Sequence, residues 1–318
     1  MKKYILGIDV GGTDIKSCIT NKSGHILAEQ KNRVNNKAGK DAILDQINDI
    51  VNILLNEVYG TKEEVLGLGI GVPGPVNSKT GIVSKLMHIP GFEDFQLKEK
   101  LHKLIDIDTK IENDANLAAL GELHFGSGKN YSDIIFITVG TGIGGGIITN
   151  GQLVIGKSGG GGEIGCMKIG NSGKYCACGQ FDCWHAYCSS AALVREAKVR
   201  LCLTKENLVW ELCGMDFKKL EAKHIFDAAK KNDYFAKQLV DYEVKYLAKG
   251  IGSLINIFDP EAIIMGGGMS HAGDILFKPL KEEIRYHARP KAYENLNLIP
   301  SDLGNKAGML GAIALFLN

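Results

Sequence analysis

A strand, a glycine turn and a second strand open this chain, and the same pattern returns 129 residues later. Ile8, Val10, Gly11, Ile19, Thr20 and Asn21 coincide at that offset with Ile137, Val139, Gly140, Ile148, Thr149 and Asn150, six identities in fourteen ungapped positions. The pattern reads as an internal duplication of a strand–Gly turn–strand hairpin, the alternative being that any two Gly-rich hairpins share some of these residues. Glycine makes up 40 of the 318 residues, nearly twice the usual share of ~7%. No collagen period runs through them, so they mark tight turns and close backbone approaches.

The remaining pattern alternates strands and helices. Strands are predicted over Tyr4–Val10, Ile15–Thr20, His25–Gln30, Val65–Val72, Ile105–Ile111, Ile134–Val139, Ala262–Met265 and Leu296–Ile299. Ile43, Ile47, Ile50, Val51, Leu54, Leu55 and Val58 recur at three and four residues and predict an amphipathic helix from Asp41 to Gly60. Helices are also expected over Leu117–His124 and Lys306–Phe316, and after Cys188, where Ser189 or Ser190 can act as cap. Two related α/β halves without a polar linker imply two lobes packed against one cleft.

With 37 Lys+Arg against 36 Asp+Glu, the net charge is +1, which argues against a partner made of phosphate backbone or anionic lipid. No run approaches the roughly 18 apolar residues of a membrane helix. The richest, Ile134 to Ile148, is interrupted by five glycines. No apolar signal region follows Met1-Lys2-Lys3, so the expected compartment is the cytoplasm. The eight cysteines are then thiols or metal ligands rather than disulfides.

Three groups of residues carry chemistry. Gly11-Gly12-Thr13 directly after Asp9 forms a turn whose backbone N–H groups can approach a polyphosphate, and Asp9 can hold a hydrated Mg²⁺. Its twin is the run from Gly140 to Gly146. Neither ends in Gly-Lys-Ser/Thr and each leads into a strand, so this is neither a Walker loop nor a dinucleotide fingerprint. Gly266-Gly267-Gly268 follows a strand, and serves either a tight turn or the approach of an adenosine.

The second group, Glu112-Asn113-Asp114-Ala115-Asn116, lies where a strand meets a helix. An N-cap accounts for one of its polar residues. A carboxylate and an amide there can also grip a polyol and take a hydroxyl proton during phosphoryl transfer. The third is Cys166, Cys176, Cys178 and Cys183, in a loop without hydrophobic period that a tetrahedral Zn²⁺ would stabilise. A redox pair at Cys176/Cys178 and scattered buried thiols are the other readings, with Cys188 and His185 as spare ligands. Cys18, Cys202 and Cys213 are expected in the core.

On Gly7–Asp14 (GIDVGGTD), Glu112–Asn116 (ENDAN), Val139–Gly146 (VGTGIGGG), Gly162–Gly165 (GEIG) and the cysteines from Cys176 to Cys183, the chain resembles the ROK family of sugar kinases and sugar-responsive repressors. The resemblance implies an α/β, two-lobed actin/hexokinase-like fold of duplicated ribonuclease H-like halves, with a cleft and a zinc-stabilised loop. A small lobe would span 1–114, completed by 301–318, and a large lobe 115–300, with the zinc loop at 156–188.

The implied activity is ATP-dependent phosphorylation of a hexose or hexose derivative at O6, with Mg²⁺ and a structural Zn²⁺. Asp9, Gly11, Gly12 and Thr13 would belong to the first phosphate loop, Gly140, Thr141 and Gly142 to the second, and Gly267 and Gly268 would lie near the adenosine. Gly74, His88, Asn113, Asp114, Glu163 and His185 would contact the sugar, with Asp114 as base, and Cys166, Cys176, Cys178 and Cys183 would hold zinc. The resemblance also implies a homodimer or homotetramer, with no nucleic acid and no membrane.

This sequence departs from the family where Cys166 replaces a histidine, where His185 replaces a glutamate, and where His88 replaces a common asparagine. Three changes around one sugar point to a substrate other than plain glucose, against tolerated variation on a glucokinase. A sugar-sensing repressor would carry a DNA-binding segment before the first glycine loop, and six residues precede Gly7. A sugar-binding protein without turnover is the third reading.

Overall fold

In the computed structural model, residues 1–35, 39–85 and 92–317 are described. The first sheet has the order β3-β2-β1-β4-β8, formed by β1 (Tyr4–Val10), β2 (Asp14–Asn21), β3 (Ile26–Arg33), β4 (Val65–Val72) and β8 (Thr109–Asn113). β1, β2 and β3 form an antiparallel meander, and β4 and β8 join it in parallel. Three short strands, β5 (Val76–Asn77), β6 (Ile82–Lys85) and β7 (Glu93–Gln96), make a separate ribbon.

The second sheet repeats that order as β11-β10-β9-β12-β13. Its strands are β9 (Ile134–Val139), β10 (Ile143–Thr149), β11 (Gln152–Leu153), β12 (Ala262–Gly266) and β13 (Asn297–Pro300). The hairpins aligned by the 129-residue offset therefore hold equivalent places in two sheets of one topology. Shared glycines alone do not produce a shared strand order, so the duplication reading stands.

The chain divides into two units, one of Met1–Phe136, Gly146–Gly162 and Asp302–Asn318, the other of Ile137–Gly145 and Glu163–Ser301. In the first, α1 (Gly39–Glu57) buries Ile43, Ile47, Ile50, Val51, Leu54 and Leu55, the stripe read from the sequence. It shares a core with Leu6, Ile8, Leu68 and Ile70 of β1 and β4. α2 (Leu97–Ile105) was not anticipated. The expected strand over Ile105–Ile111 is instead the end of this helix, a left-handed cap at Asp106 (φ 57°) and only then β8. Leu97, Leu101 and Ile105, four residues apart, are its buried face. α3 (Asp114–Phe125) begins three residues earlier than expected, and α11 (Ala307–Ala314) closes this unit against it.

The second unit is built on α8 (Tyr234–Phe258), capped by Asp233, whose Oδ1 accepts from Ala236 N at 2.7 Å. Around it lie α4 (Trp184–Cys188), α5 (Ser190–Leu201), α6 (Leu208–Leu212), α7 (Ala222–Lys230), α9 (Asp274–Ile284) and α10 (Pro290–Glu294). Ser189 caps α5, accepting from Ala192 N at 3.1 Å. Trp184 is fully buried and donates from Nε1 to Tyr246 O at 2.9 Å. Cys18 and Cys213 are buried as expected, whereas Cys202 is exposed, sitting at the end of α5 instead of on its packed face. Among the described residues, no helix is long and apolar enough to cross a membrane.

Glu243 on α8 is wholly buried, and neither carboxylate oxygen has a hydrogen-bond partner among the described residues. Burial drives its pKa well above the usual carboxylate range. The folded state thus holds the proton more tightly than the unfolded chain, and stability falls as pH rises through and beyond the ordinary range. Glu243→Met should raise stability by about 1–3 kcal/mol at pH 7. Urea unfolding should show the gain shrinking towards pH 4, and an equal gain at both pH values would mean the carboxyl is not the cause.

Candidate active site

In the first unit, sheet register assembles the acidic residues. Asp9, near the end of β1, stands opposite Gly71 of β4, and Gly71 stands opposite Glu112 of β8. Parallel strands bring their C-terminal ends to one edge, the usual place for a site in such sheets. A Cβ at Gly71 would lie 3.5 Å from Asp9 Oδ1 and 3.8 Å from Asp114 Cα, so the two aspartates flank this residue. A Cβ at Gly308 of α11 would lie 2.7 Å from Asp9 Cγ, so the carboxyl is packed against helix backbone. Burial, offset in part by Lys16, pushes the Asp9 pKa up to about 6.

Asn113 is the N-cap of α3, its Oδ1 accepting from Ala115 N at 2.9 Å and Asn116 N at 3.2 Å. Its amide nitrogen donates to Gly74 O at 3.1 Å, which fixes the loop Pro73-Gly74-Pro75 beside the helix start. Asp114 Oδ1 accepts from Ala115 N at 2.8 Å. Glu112 supports the group from below, accepting from Asn113 N at 2.8 Å and from Asn116 Nδ2 at 3.0 Å. The cap and the polyol-binding reading therefore coexist in one segment. Gly12 and Thr13 are exposed at the β1–β2 turn, where Gly11 N donates to Asp14 O at 2.9 Å.

In the second unit, Gly140 N donates to Gly142 O at 2.9 Å, and Ser190 N to Gly140 O at 2.8 Å, tying the loop to the start of α5. Gly267 has φ 82°, and its Cβ would lie 2.5 Å from Val139 O, which accounts for glycine there. Gly140 and Gly268 are different. Neither has a positive φ, and a Cβ on either would meet nothing within 4 Å. The fold gives no reason for glycine at these two places, while a ligand lying on the backbone would.

Beside Gly268 opens a pocket of about 470 Å³ between α7 and the turn Gly268–Ala272. Phe226, Met269 and Ala272 give it apolar walls, with Glu221, Asp227 and His271 at its edges. Its size and mixed lining suit a nucleoside. These wall residues had no sequence signal, because their proximity is a product of tertiary packing alone.

The cysteine loop lies in the same unit. The Sγ atoms of Cys176, Cys178 and Cys183 lie within 4.8 Å of one another, with Cys176 and Cys183 buried. Such a set of thiols, in a segment whose regular pairing is limited to the isolated bridges Lys168–Cys183 and Tyr175–Phe181, fits a thiophilic cation such as Zn²⁺. Cys166 stands outside the trio. Its thiol is pushed up to about 12 by burial and by Cys178 beside it. His185 Nε2 lies 2.7 Å from Cys176 Sγ, and burial followed by Arg195 holds its pKa below the usual imidazole value.

A family model described as the ROK family matches residues 5–318. The chain belongs to the ROK family. It is 36% identical over 313 residues to a glucokinase of Halalkalibacterium halodurans, covering 97% of this chain and 93% of that one. To a xylose repressor of Bacillus subtilis it is 30% identical over 320 residues, covering 99% of this chain and 77% of the repressor. A ROK family glucokinase from Streptomyces griseus, solved with glucose and AMPPNP, matches with TM-score 0.80 at 33% identity over 98% of both chains.

As a ROK protein the chain has the actin/hexokinase-like fold, which agrees with the repeated sheet order. Within the first unit the expected residues Asp9, Gly74, Asn113 and Asp114 gather at one sheet edge. Within the second, Gly140, Gly142, Glu163, His185 and the thiols lie along neighbouring segments, and desolvation raises the pKa of Glu163. His88 falls outside the described residues. Missed by sequence reasoning were Gly71 and Gly308, which shape the surroundings of Asp9, and Glu112 as the support of Asn113. Purified protein should carry about one zinc per chain. Chelation should open the loop to trypsin after Lys174, whose backbone N donates to Asp182 in the ordered loop. A metal-free preparation resisting trypsin equally would remove the metal from the loop's stability.

Proposed function

We propose that this ROK chain is an ATP-dependent sugar kinase that transfers the γ-phosphoryl group to the O6 hydroxyl of a hexose or hexose derivative. The observation that carries the reading is the flanking of Gly71 by Asp9 and Asp114, together with two glycines, Gly140 and Gly268, whose surroundings leave open space for a side chain and so room for a ligand. Asn113, held by its bond to Gly74, grips sugar hydroxyls, and Glu163 and His185 are assigned to the same substrate. Asp114, at the first turn of α3, takes the proton of the attacking hydroxyl as the phosphoryl group transfers. Gly11, Gly12, Thr13, Gly140, Thr141 and Gly142 offer N–H and hydroxyl donors to the phosphates, and Gly267 and Gly268 leave room for the adenosine. Mg²⁺, which Asp9 would hold through water, neutralises phosphate charge when bound.

We assign the protein to the cytoplasm, where ATP and reduced thiols coexist, and to a homodimer or homotetramer. Cys166 and His185 in place of the family's histidine and glutamate favour a sugar other than plain glucose. The similarity to a xylose repressor supports a second reading, a sugar sensor without turnover.

Release of ADP from Mg-ATP across hexoses, N-acetylhexosamines and β-glucosides separates the two, with Asp114→Asn as blank. One preferred sugar is the expected result, and no turnover by the wild-type chain would hand the case to the sensor. Asp114→Asn should cost on the order of 10²–10⁴ in kcat while sugar binding persists. The Asp9 pKa of about 6 sets a pH limb. Below it the carboxyl is neutral and cannot hold the cation, so kcat/KM for ATP should fall about tenfold per pH unit. Asp9→Asn should abolish that limb, and a limb that survives belongs to another group.

A further inference from the structure

Asn116, in the first turn of α3, is buried, and its Oδ1 has no hydrogen-bond partner among the described residues. A buried acceptor left unpaired destabilises a fold, and the helix cap does not call for one. Asn116 serves the cap through its main-chain N, which donates to Asn113 Oδ1 at 3.2 Å and would do so under any side chain but that of proline. Its side chain is engaged elsewhere. Nδ2 donates to Glu112 Oε1 at 3.0 Å, and Asn113 N donates to the same oxygen at 2.8 Å. Main chain covers this turn, since a Cβ on Gly146 of β10 would lie 3.0 Å from Asn116 Cα.

Two donors on one oxygen fix the orientation of the amide. Because Asn113 N already donates to Oε1, that oxygen is an acceptor. Turning the Asn116 amide over would set oxygen against oxygen and bury an unpaired NH2 group instead. Oδ1 is therefore orphaned by the bond that Nδ2 makes. In a common helix start, the third residue after the cap reaches back with a carboxyl to the cap's own N–H. Here Glu112, the last residue of β8 but one, takes that N–H, and Asn116 at the third position steers Glu112. We infer that Asn116 is a positioning residue that holds the Glu112 carboxyl on Asn113 N and so sets the direction in which the chain turns from β8 into Asp114, aligning that residue for proton transfer. The second half, alignment for transfer, rests on the sugar-kinase reading with Asp114 as base. The Asn113 amide group is pinned by Gly74 O, Ala115 N and Asn116 N, none of which involves Glu112. The grip on the sugar and the proton transfer should therefore respond differently when the steering is lost.

Amide hydrogen exchange tests the first half without reference to activity. Asn113 N–H should exchange about tenfold faster in Asn116→Ala, and likewise in Asn116→Asp, which keeps the volume and loses the donor. Unchanged exchange in either folded variant overturns that half. For the second half, kcat with Mg-ATP and the preferred sugar should fall on the order of 10–100-fold in Asn116→Ala, while sugar affinity by calorimetry stays within about threefold. Equal losses in kcat and affinity would mean a collapsed site and overturn it. Glu112→Gln, whose one carbonyl oxygen can accept both bonds, should recover most of the kcat that Glu112→Ala loses, and equal losses in the two would overturn the positioning role. Asn116→Ala should cost at most about twofold more in the Glu112→Ala background. Full additivity would mean that Asn116 acts by packing and not through Glu112. Wild type without turnover on any sugar defeats the kinase reading and the second half with it, while exchange at Asn113 still decides the first.

Discussion

The carboxyl of Asp9 is pressed between two backbones, β4 at Gly71 and α11 at Gly308, with a hypothetical methyl at the latter only 2.7 Å from its Cγ. This contact depends on the absence of side chains at both positions, and much of the first unit follows from it. β1 and β4 must pair in the register that sets Asp9 opposite Gly71. α11, nearly three hundred residues further along, must return to the same edge. The enclosure in turn raises the pKa of Asp9 to about 6, because the charged form gives up water that Lys16 only partly replaces. A single steric fact thus links chain closure, sheet register and the protonation of Asp9.

The thiol loop solves a different problem. Between Gly156 and Cys183 the chain forms almost no regular structure and supplies few apolar residues for a core of its own. Its few large side chains are spent outward, as with the exposed pair Tyr175 and Phe181. Loops of this length without a core are uncommon in compact units. Three thiols drawn within 4.8 Å are what a bound cation would need to substitute for hydrophobic burial. That substitution has a further effect. The loop's order would then come from a point, and His185 Nε2 lies 2.7 Å from one of its thiols.

How far the residues reveal the structure depends on the range of the interaction involved. Strands β1, β4 and β9 and the buried stripe of α1 follow from local periodicity, and were legible to within a residue or two. So was Asn113 as a cap, because its partners Ala115 and Asn116 are neighbours in sequence. Helix α2 was missed because its apolar face has only three members, Leu97, Leu101 and Ile105, too few to distinguish from the approach to a strand. Gly71 and Gly308 looked like any other glycines until tertiary packing set Asp9 between them. His185 was read as a sugar ligand or a spare thiol partner, and the fold draws its Nε2 to Cys176.

The duplication also explains why the two glycine turns differ in charge. At the 129-residue offset Asp9 corresponds to Thr138, and both side chains are half-buried near the end of the first strand of their hairpin. A polyphosphate brings several negative charges, and a carboxylate helps bind it only through a cation that both can share. One such carboxylate suffices to recruit the cation. A second at the equivalent place would face the remaining phosphate charge without a metal between, which at a few ångströms costs several kcal/mol in a partly desolvated site. A hydroxyl at Thr138 avoids that repulsion. On the proposed nucleotide-binding reading, the two copies of one hairpin keep a glycine turn and differ at the position where a second carboxylate would meet phosphate charge.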